Sequence, residues 1–156
     1  MNLETFDALP VAAALGELQS CCNAPRWAAV VAAGRPYGSV EALLAAADDA
    51  LTDEDLDPAM AAHPRIGDRT ATGRSQREQS AVAAAADAVL DALAAGNREY
   101  EARFGHVYLV CASGRSAADL LATLRSRLDN DPATERKVAL GELAAINRIR
   151  LRGSFA

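Results

Sequence analysis

The chain has 156 residues, of which 51% are apolar and only 4% aromatic, and its formal net charge is −5. That length suits one domain, 1–156, able to bury about 70% of its unfolded surface without a disulfide or metal staple. The acidic balance argues against broad attraction to nucleic acid or an anionic membrane, although one or two local Arg side chains suffice for a small anionic substrate.

Ala, Leu and Val supply most of the apolar residues. Ala and Leu are the strongest helix formers, so packed helices are expected rather than a sandwich or barrel. The opening MNLETFDALPVAAALGELQS is acidic ahead of its apolar stretch, which makes it a poor signal peptide, and no apolar run is long enough to span a bilayer. Pro10 introduces a helix over VAAALGELQS that ends near Asn23-Ala24-Pro25. Pro25 suits the first turn of a second helix, RWAAVVAAG, stopped by Gly34 and Pro36. Ser39 is an N-cap for VEALLAAADDAL, and Thr52 for the short acidic segment DEDLDPAM. AAHPRIGDRTATGR carries Pro64, Gly67 and Gly73 without apolar periodicity and reads as a loop.

From Ser75 the pattern predicts a long helix ended by Gly96, then a second helical piece to Gly105. HVYLVCA lies between Gly105 and Gly114 and is expected to cross the core in extended form, though its apolar run alone also fits a helical turn. Ser116 caps AADLLATLRSRL. Asp131-Pro132 starts a last helix with an apolar stripe at Val138, Leu140, Leu143, Ile146 and Ile149.

The groups able to do chemistry concentrate in two places. His63 precedes Pro64, which pushes its backbone away from helix and stiffens the segment. An imidazole held at a helix-to-loop boundary suits acid–base work near neutral pH, but it also suits a simple cationic helix end. Ser75-Gln76-Arg77-Glu78-Gln79 has the spacing of a capping box. The same geometry would set free amides of a helix N-terminus beside Glu78 and Gln79, as an anion site.

His106 reads as a core histidine and Cys111 as core packing. Arg148, Arg150 and Arg152 alternate, so they cannot all share one helix face. Cys21, Cys22 and Cys111 have no metal-ligand spacing and cannot all pair, which fits a reduced, cytoplasmic protein. The C-terminal Gly-Ser-Phe-Ala is no peroxisomal address. A phosphate loop, a dinucleotide fingerprint and a metal-ligand cluster are all missing from the sequence.

Taken in order, Ala62-His63-Pro64-Arg65-Ile66-Gly67, Ser75-x-x-Glu78-Gln79 and Tyr100-Glu101-x-Arg103-Phe104-Gly105 resemble the OHCU (2-oxo-4-hydroxy-4-carboxy-5-ureidoimidazoline) decarboxylase family. Arg125-x-Arg127-Leu128-x-Asn130, Glu135 and the run to Arg150-Leu151 extend the resemblance, as do Leu15-Gly16, Pro25-x-Trp27 and Arg35-Pro36. The resemblance implies a compact all-α domain, a homodimer with no cofactor or metal, and a carboxy-lyase that takes OHCU, an anionic small molecule, to (S)-allantoin in urate degradation. It implies His63 and Glu78 as catalytic residues. Pro64, Ser75, Gln79, the main chain from Val110 through Cys111 and Ala112, and Arg150 would contact the substrate.

The chain departs from the family's Phe-Gly-Phe-Pro-Phe at Phe104-Gly105-His106-Val107-Tyr108. That departure motivates one rival, a decarboxylase acting on a different ureide or imidazoline acid. A non-catalytic helical interaction domain is the other.

Overall fold

The computed structural model describes residues 1–68, 73–83 and 85–156. Parts of the expected loop (69–72) and of the expected long helix (84) therefore lie outside the described residues. Among the described residues the fold is all-α, with ten helices, one 3-10 turn and no strand. The chain forms two compact units, one comprising Met1–Ala59 with Leu143–Ala156 and the other Met60–Glu142.

The first unit begins with α1 (Leu3–Ala8), a helix the sequence reading did not anticipate. Its cap is Asn2, whose side chain accepts the Thr5 N–H at 2.9 Å. Helices α2 (Val11–Cys21), α3 (Pro25–Ala33) and α4 (Val40–Ala50) follow as expected. Pro25 occupies the first turn of α3, and Ser39 caps α4 by accepting the Ala42 N–H at 3.1 Å. Trp27 is fully buried and donates its indole N–H to the Ala47 carbonyl at 2.9 Å, tying α3 to α4.

A 3-10 turn, Asp53–Asp55, precedes α5 (Leu56–Ala62). Asp55 is buried, accepts the Thr52 N–H at 2.8 Å, and is gripped by Arg26 through Nε at 3.1 Å and Nη2 at 2.7 Å. Arg35, of the Arg35-Pro36 motif, donates to the Phe6 and Leu9 carbonyls at 2.8 Å each and so satisfies the end of α1.

The second unit holds α6 (Gly73–Glu78), α7 (Ser80–Ala83), α8 (Asp87–Phe104) and α9 (Ala117–Arg127). The long helix expected from Ser75 is thus broken into three. Gly96 does not end one: α8 runs through it without interruption. A Cβ at Gly96 would meet Leu124 Cδ2 at 3.0 Å, so the glycine serves the close approach of α8 and α9. Gly105 is the actual stop, left-handed at φ +77° with its N–H on the Glu101 carbonyl. Ser116 caps α9, accepting the Asp119 N–H at 3.1 Å.

Helix α10 (Pro132–Phe155) begins at Pro132 as expected, with Asp131 accepting the Thr134 N–H at 2.8 Å. Its buried face differs from the predicted stripe. Ile149 is exposed and Val138 and Leu140 are half-buried, while Glu135, Ala139, Leu143, Ile146, Asn147, Leu151 and Phe155 are buried. A face advancing mainly in four-residue steps takes polar residues with it, which a hydrophobic count passes over. In the first unit Phe155 packs on Phe6 with ring centroids 4.5 Å apart.

A buried polar network stands at the centre of the second unit. Arg127 donates through Nε to Glu135 at 2.7 Å and through Nη1 to the Leu109 carbonyl at 2.7 Å. Glu135 also accepts the Tyr100 hydroxyl and, at 3.0 Å, the Asn130 side-chain N–H. The Arg127 guanidinium lies 4.9 Å from the Tyr108 ring centroid. Burial, first, and the neighbouring carboxylate push the Tyr100 hydroxyl well above its ordinary pKa; burial likewise pushes Tyr108 up to about 12.

Candidate active site

α5 ends at Ala62, and His63 donates its N–H to the Met60 carbonyl at 3.1 Å, which closes the last turn. His63 and Pro64 are half-buried. Beyond them the chain is anchored at three successive residues. Arg65 pairs with Glu101 through Nε at 3.0 Å, and the Ile66 carbonyl accepts Asn97 Nδ2 at 3.0 Å. Gly67, left-handed at φ +85°, donates its N–H to Gln79 Oε1 at 2.9 Å. That last bond joins the His63 segment directly to the Ser75–Gln79 segment, the two stretches where sequence reasoning placed the chemistry.

The local form of the second stretch corrects the expectation. α6 begins at Gly73, so Ser75 is its third residue rather than its N-cap. Glu78 is the last residue of α6, and Gln79 follows it with its N–H on the Ser75 carbonyl at 3.1 Å. Among the described residues Ser75 therefore lies within α6 and Glu78 at the C-terminal end of this six-residue helix, not at its N-terminus, where a capping box or an anion site would need Ser75. Ser75, Glu78 and Gln79 are all half-buried.

The segment 107–112 has no helix or strand, and Tyr108, Leu109, Val110 and Ala112 are buried in it. A helical turn is ruled out there. The buried network holds the segment: Arg127 takes the Leu109 carbonyl, and Tyr108 donates its hydroxyl to the Leu120 carbonyl at 3.0 Å. Arg115 N–H closes a turn on the Ala112 carbonyl at 3.0 Å. Burial raises the pKa of the half-buried Cys111 thiol, and the Glu142 and Glu78 carboxylates raise it further. Glu78 and Cys111 therefore lie within electrostatic reach, and Cys111 is poorly suited to be a nucleophile.

Arg150 belongs to the first unit. Its Nη1 donates to the Cys21 carbonyl at 2.9 Å, at the C-terminal end of α2, where a cation is favoured. Its charge opposes, without overcoming, the burial that pushes the Cys22 thiol up to about 11. Of its neighbours on α10, Arg148 pairs with Asp48, and Arg152 with Glu41 at 3.0 Å. The three arginines point to different partners, as their alternation requires.

His106 is half-buried, stacked against Phe104 at 6.1 Å and edge-on to Tyr100 at 5.6 Å, with Nδ1 3.0 Å from the Val107 carbonyl oxygen. That surrounding fits aromatic packing, as the sequence reading expects. Asn97 was missed by sequence reasoning, since an Asn inside a helical pattern has no signal of its own. Among the described residues no group of three His, Cys, Asp or Glu side chains could hold a metal ion, and no helix is long and apolar enough to cross a membrane.

Residues 7–152 match the family model of OHCU decarboxylase. The chain is 32% identical over 151 residues to the uric acid degradation bifunctional protein TTL of Arabidopsis thaliana, covering 90% of this chain and 47%, about half, of that protein. It is 30% identical over 143 residues to the 2-oxo-4-hydroxy-4-carboxy-5-ureidoimidazoline decarboxylase of Amia calva, covering 82% of this chain and 79% of that one. Its structure is similar to a crystal structure of OHCU decarboxylase determined in the presence of (S)-allantoin. The TM-score is 0.79 at 28% identity, covering 89% of this chain and 96% of that one.

Proposed function

The chain belongs to the OHCU decarboxylase family, and on that premise we propose that it releases CO2 from 2-oxo-4-hydroxy-4-carboxy-5-ureidoimidazoline to form (S)-allantoin in urate degradation. The observation that carries the reading is the family match over 7–152, which spans both compact units and supports treating 1–156 as one carboxy-lyase domain.

The substrate's own connectivity sets the chemistry. The departing carboxylate and a hydroxyl share C4, next to the C=N carbon that bears the ureido group. When the C4–carboxylate bond breaks, its electron pair forms a C4=C5 bond and the C=N pair moves onto nitrogen, which takes a proton. Loss of the hydroxyl proton then restores a C4 carbonyl while C5 gains a proton on one face. The substrate is thus its own electron sink. The protein has to orient the carboxylate, steady developing charge and deliver a proton to one side.

His63 is the proton-transfer group, an imidazole on a segment held at Arg65, Ile66 and Gly67. Glu78 and Gln79 grip the ring and ureido groups. Pro64, Ser75 and the main chain at Val110, Cys111 and Ala112 line the ligand; for Arg150 it is the family resemblance alone that assigns contact with an anionic group. A homodimer and a cytoplasmic location complete the proposal, to be read by sedimentation and by cell fractionation.

The test supplies freshly generated OHCU and follows allantoin by circular dichroism. A dichroism signal of the (S) enantiomer, growing faster than the uncatalysed background, is the expected result. Racemic product at the background rate refutes the reading.

A further inference from the structure

Three tethers hold the segment that begins at His63, and they are unequal. The Arg65–Glu101 pair is exposed, its side chains 64% and 25% accessible, and such pairs hold geometry weakly. The Gly67–Gln79 bond ends on a half-buried side chain of a short segment. The Asn97–Ile66 bond is different: Asn97 is only 3% exposed, its carrier is the eighteen-residue helix α8, and the Ile66 side chain is buried beside it.

Asn97 is also an expensive choice for its position. Its Nδ2 is used on Ile66, while its Oδ1 is buried with no hydrogen-bond partner among the described residues. A core amide with half its capacity unmet is costly, and an apolar side chain would fill the site without that cost. Its use is therefore to be sought in what the donor end holds. Between the clamped Ile66 carbonyl and His63 stand only Arg65 and Pro64. Pro64 has a locked φ and restricts the ψ of His63, so few torsions separate the clamp from the imidazole.

We propose that Asn97 is a positioning residue, which by clamping the Ile66 carbonyl to α8 sets the placement of the His63 imidazole for proton transfer. This rests on the decarboxylase reading and adds to it a group that touches no substrate.

The experiment compares wild type, Asn97→Leu and Asn97→Asp for kcat, KM and melting temperature. Asn97→Leu is expected to fold, to lose kcat by roughly 10–100-fold as small misplacements of catalytic groups do, and to keep KM within about 3-fold. In Asn97→Asp a carboxylate faces the Ile66 carbonyl and repels it, but the protonated acid donates an O–H and restores the clamp. Burial raises a carboxyl pKa, so the ratio of variant to wild-type kcat should climb as pH is lowered from about 8 to about 6. Arg65, its pKa raised first by its hydrogen bond to Glu101, stays charged across that interval.

Wild-type kcat in Asn97→Leu with only a lowered melting temperature overturns the proposal. So does a flat kcat ratio in Asn97→Asp, or loss of the helical fold in both variants, which assigns Asn97 to folding alone. The wild-type arm separates the two levels: an inactive wild type ends the decarboxylase reading itself, whereas an active wild type beside a fully active Asn97→Leu ends this inference only.

Discussion

Gln79 accepts the Gly67 backbone N–H through Oε1 at 2.9 Å, and this single bond fixes which end of the Gln79 amide is left to donate. The oxygen is committed to the His63 segment, so Nε2 is the end available to a carbonyl or carboxylate of a ligand. Gln79→Glu separates the two roles. A carboxylate keeps the Gly67 bond and makes it charge-assisted, but it has no N–H to offer. The melting temperature should hold or rise while kcat/KM falls by roughly tenfold or more, the scale of one lost hydrogen bond to a charged group. Unchanged kcat/KM removes Gln79 from substrate binding.

His63→Asn preserves a polar, hydrogen-bonding side chain at the end of α5 but not an acid–base group. Turnover should fall by roughly 10²–10⁴-fold, as loss of a positioned proton-transfer group does, with little change in thermal unfolding. Since α6 starts at Gly73, Glu78 is not needed to cap it. On the proposed role of Glu78 in gripping the substrate, Glu78→Gln should lose activity while the melting temperature changes little. A large drop in melting temperature would return Glu78 to a structural role.

Arg127 and Glu135 form an almost fully buried pair that also serves Tyr100, Asn130 and the Leu109 carbonyl. Arg127→Met leaves the Glu135 carboxylate and the Leu109 carbonyl without their cation. Removing one partner of a buried pair costs about 3–5 kcal/mol. For a chain of this size that is a melting-temperature loss of roughly 6–20 °C. Because Leu109 adjoins the main chain at Val110–Ala112, KM should rise in whatever fraction remains folded. Calorimetry and steady-state kinetics read both.

Asp55 supplies an acid-sensitive component of stability. Its burial alone would raise the carboxyl pKa, but Arg26 and the Thr52 N–H and hydroxyl outweigh it and hold the group below its ordinary value. A carboxyl lowered in the folded state adds stability that is fully present above its unfolded pKa, near 4, and is lost as pH falls through the lower folded value. Asp55→Asn should thus be less stable than wild type at neutral pH, with the gap closing below about pH 4. Urea midpoints measured against pH check this, and a gap constant down to the most acidic point excludes the mechanism.

The motifs that made the family legible divide into two groups once their surroundings are known. His63, Pro64, Glu78 and Gln79 stand out in the sequence as groups able to do chemistry, but a cationic helix end and a capping box account for them equally well, and only the family resemblance gives them roles. Tyr100, Arg127, Asn130 and Glu135 were recognised only as a pattern, and the structure gives the reason for it: a buried hydrogen-bonded network around one arginine. Ser75-x-x-Glu78 misled because a capping box is inferred from spacing alone, whereas the helix start is decided by the backbone at Gly73.

Local chemistry, readable along the chain, determined the all-α class and most helix limits: Pro25, Ser39, Ser116 and Pro132 act on their own next few residues, whatever lies elsewhere. Tertiary structure alone decided that α8 passes through Gly96, that α10 buries Glu135 and Asn147 while exposing Ile149, and that Asn97 reaches back to Ile66. Each of these depends on which side chain from a distant part of the chain arrives at that surface. Propensity and periodicity describe neighbours in sequence and carry no record of that arrival.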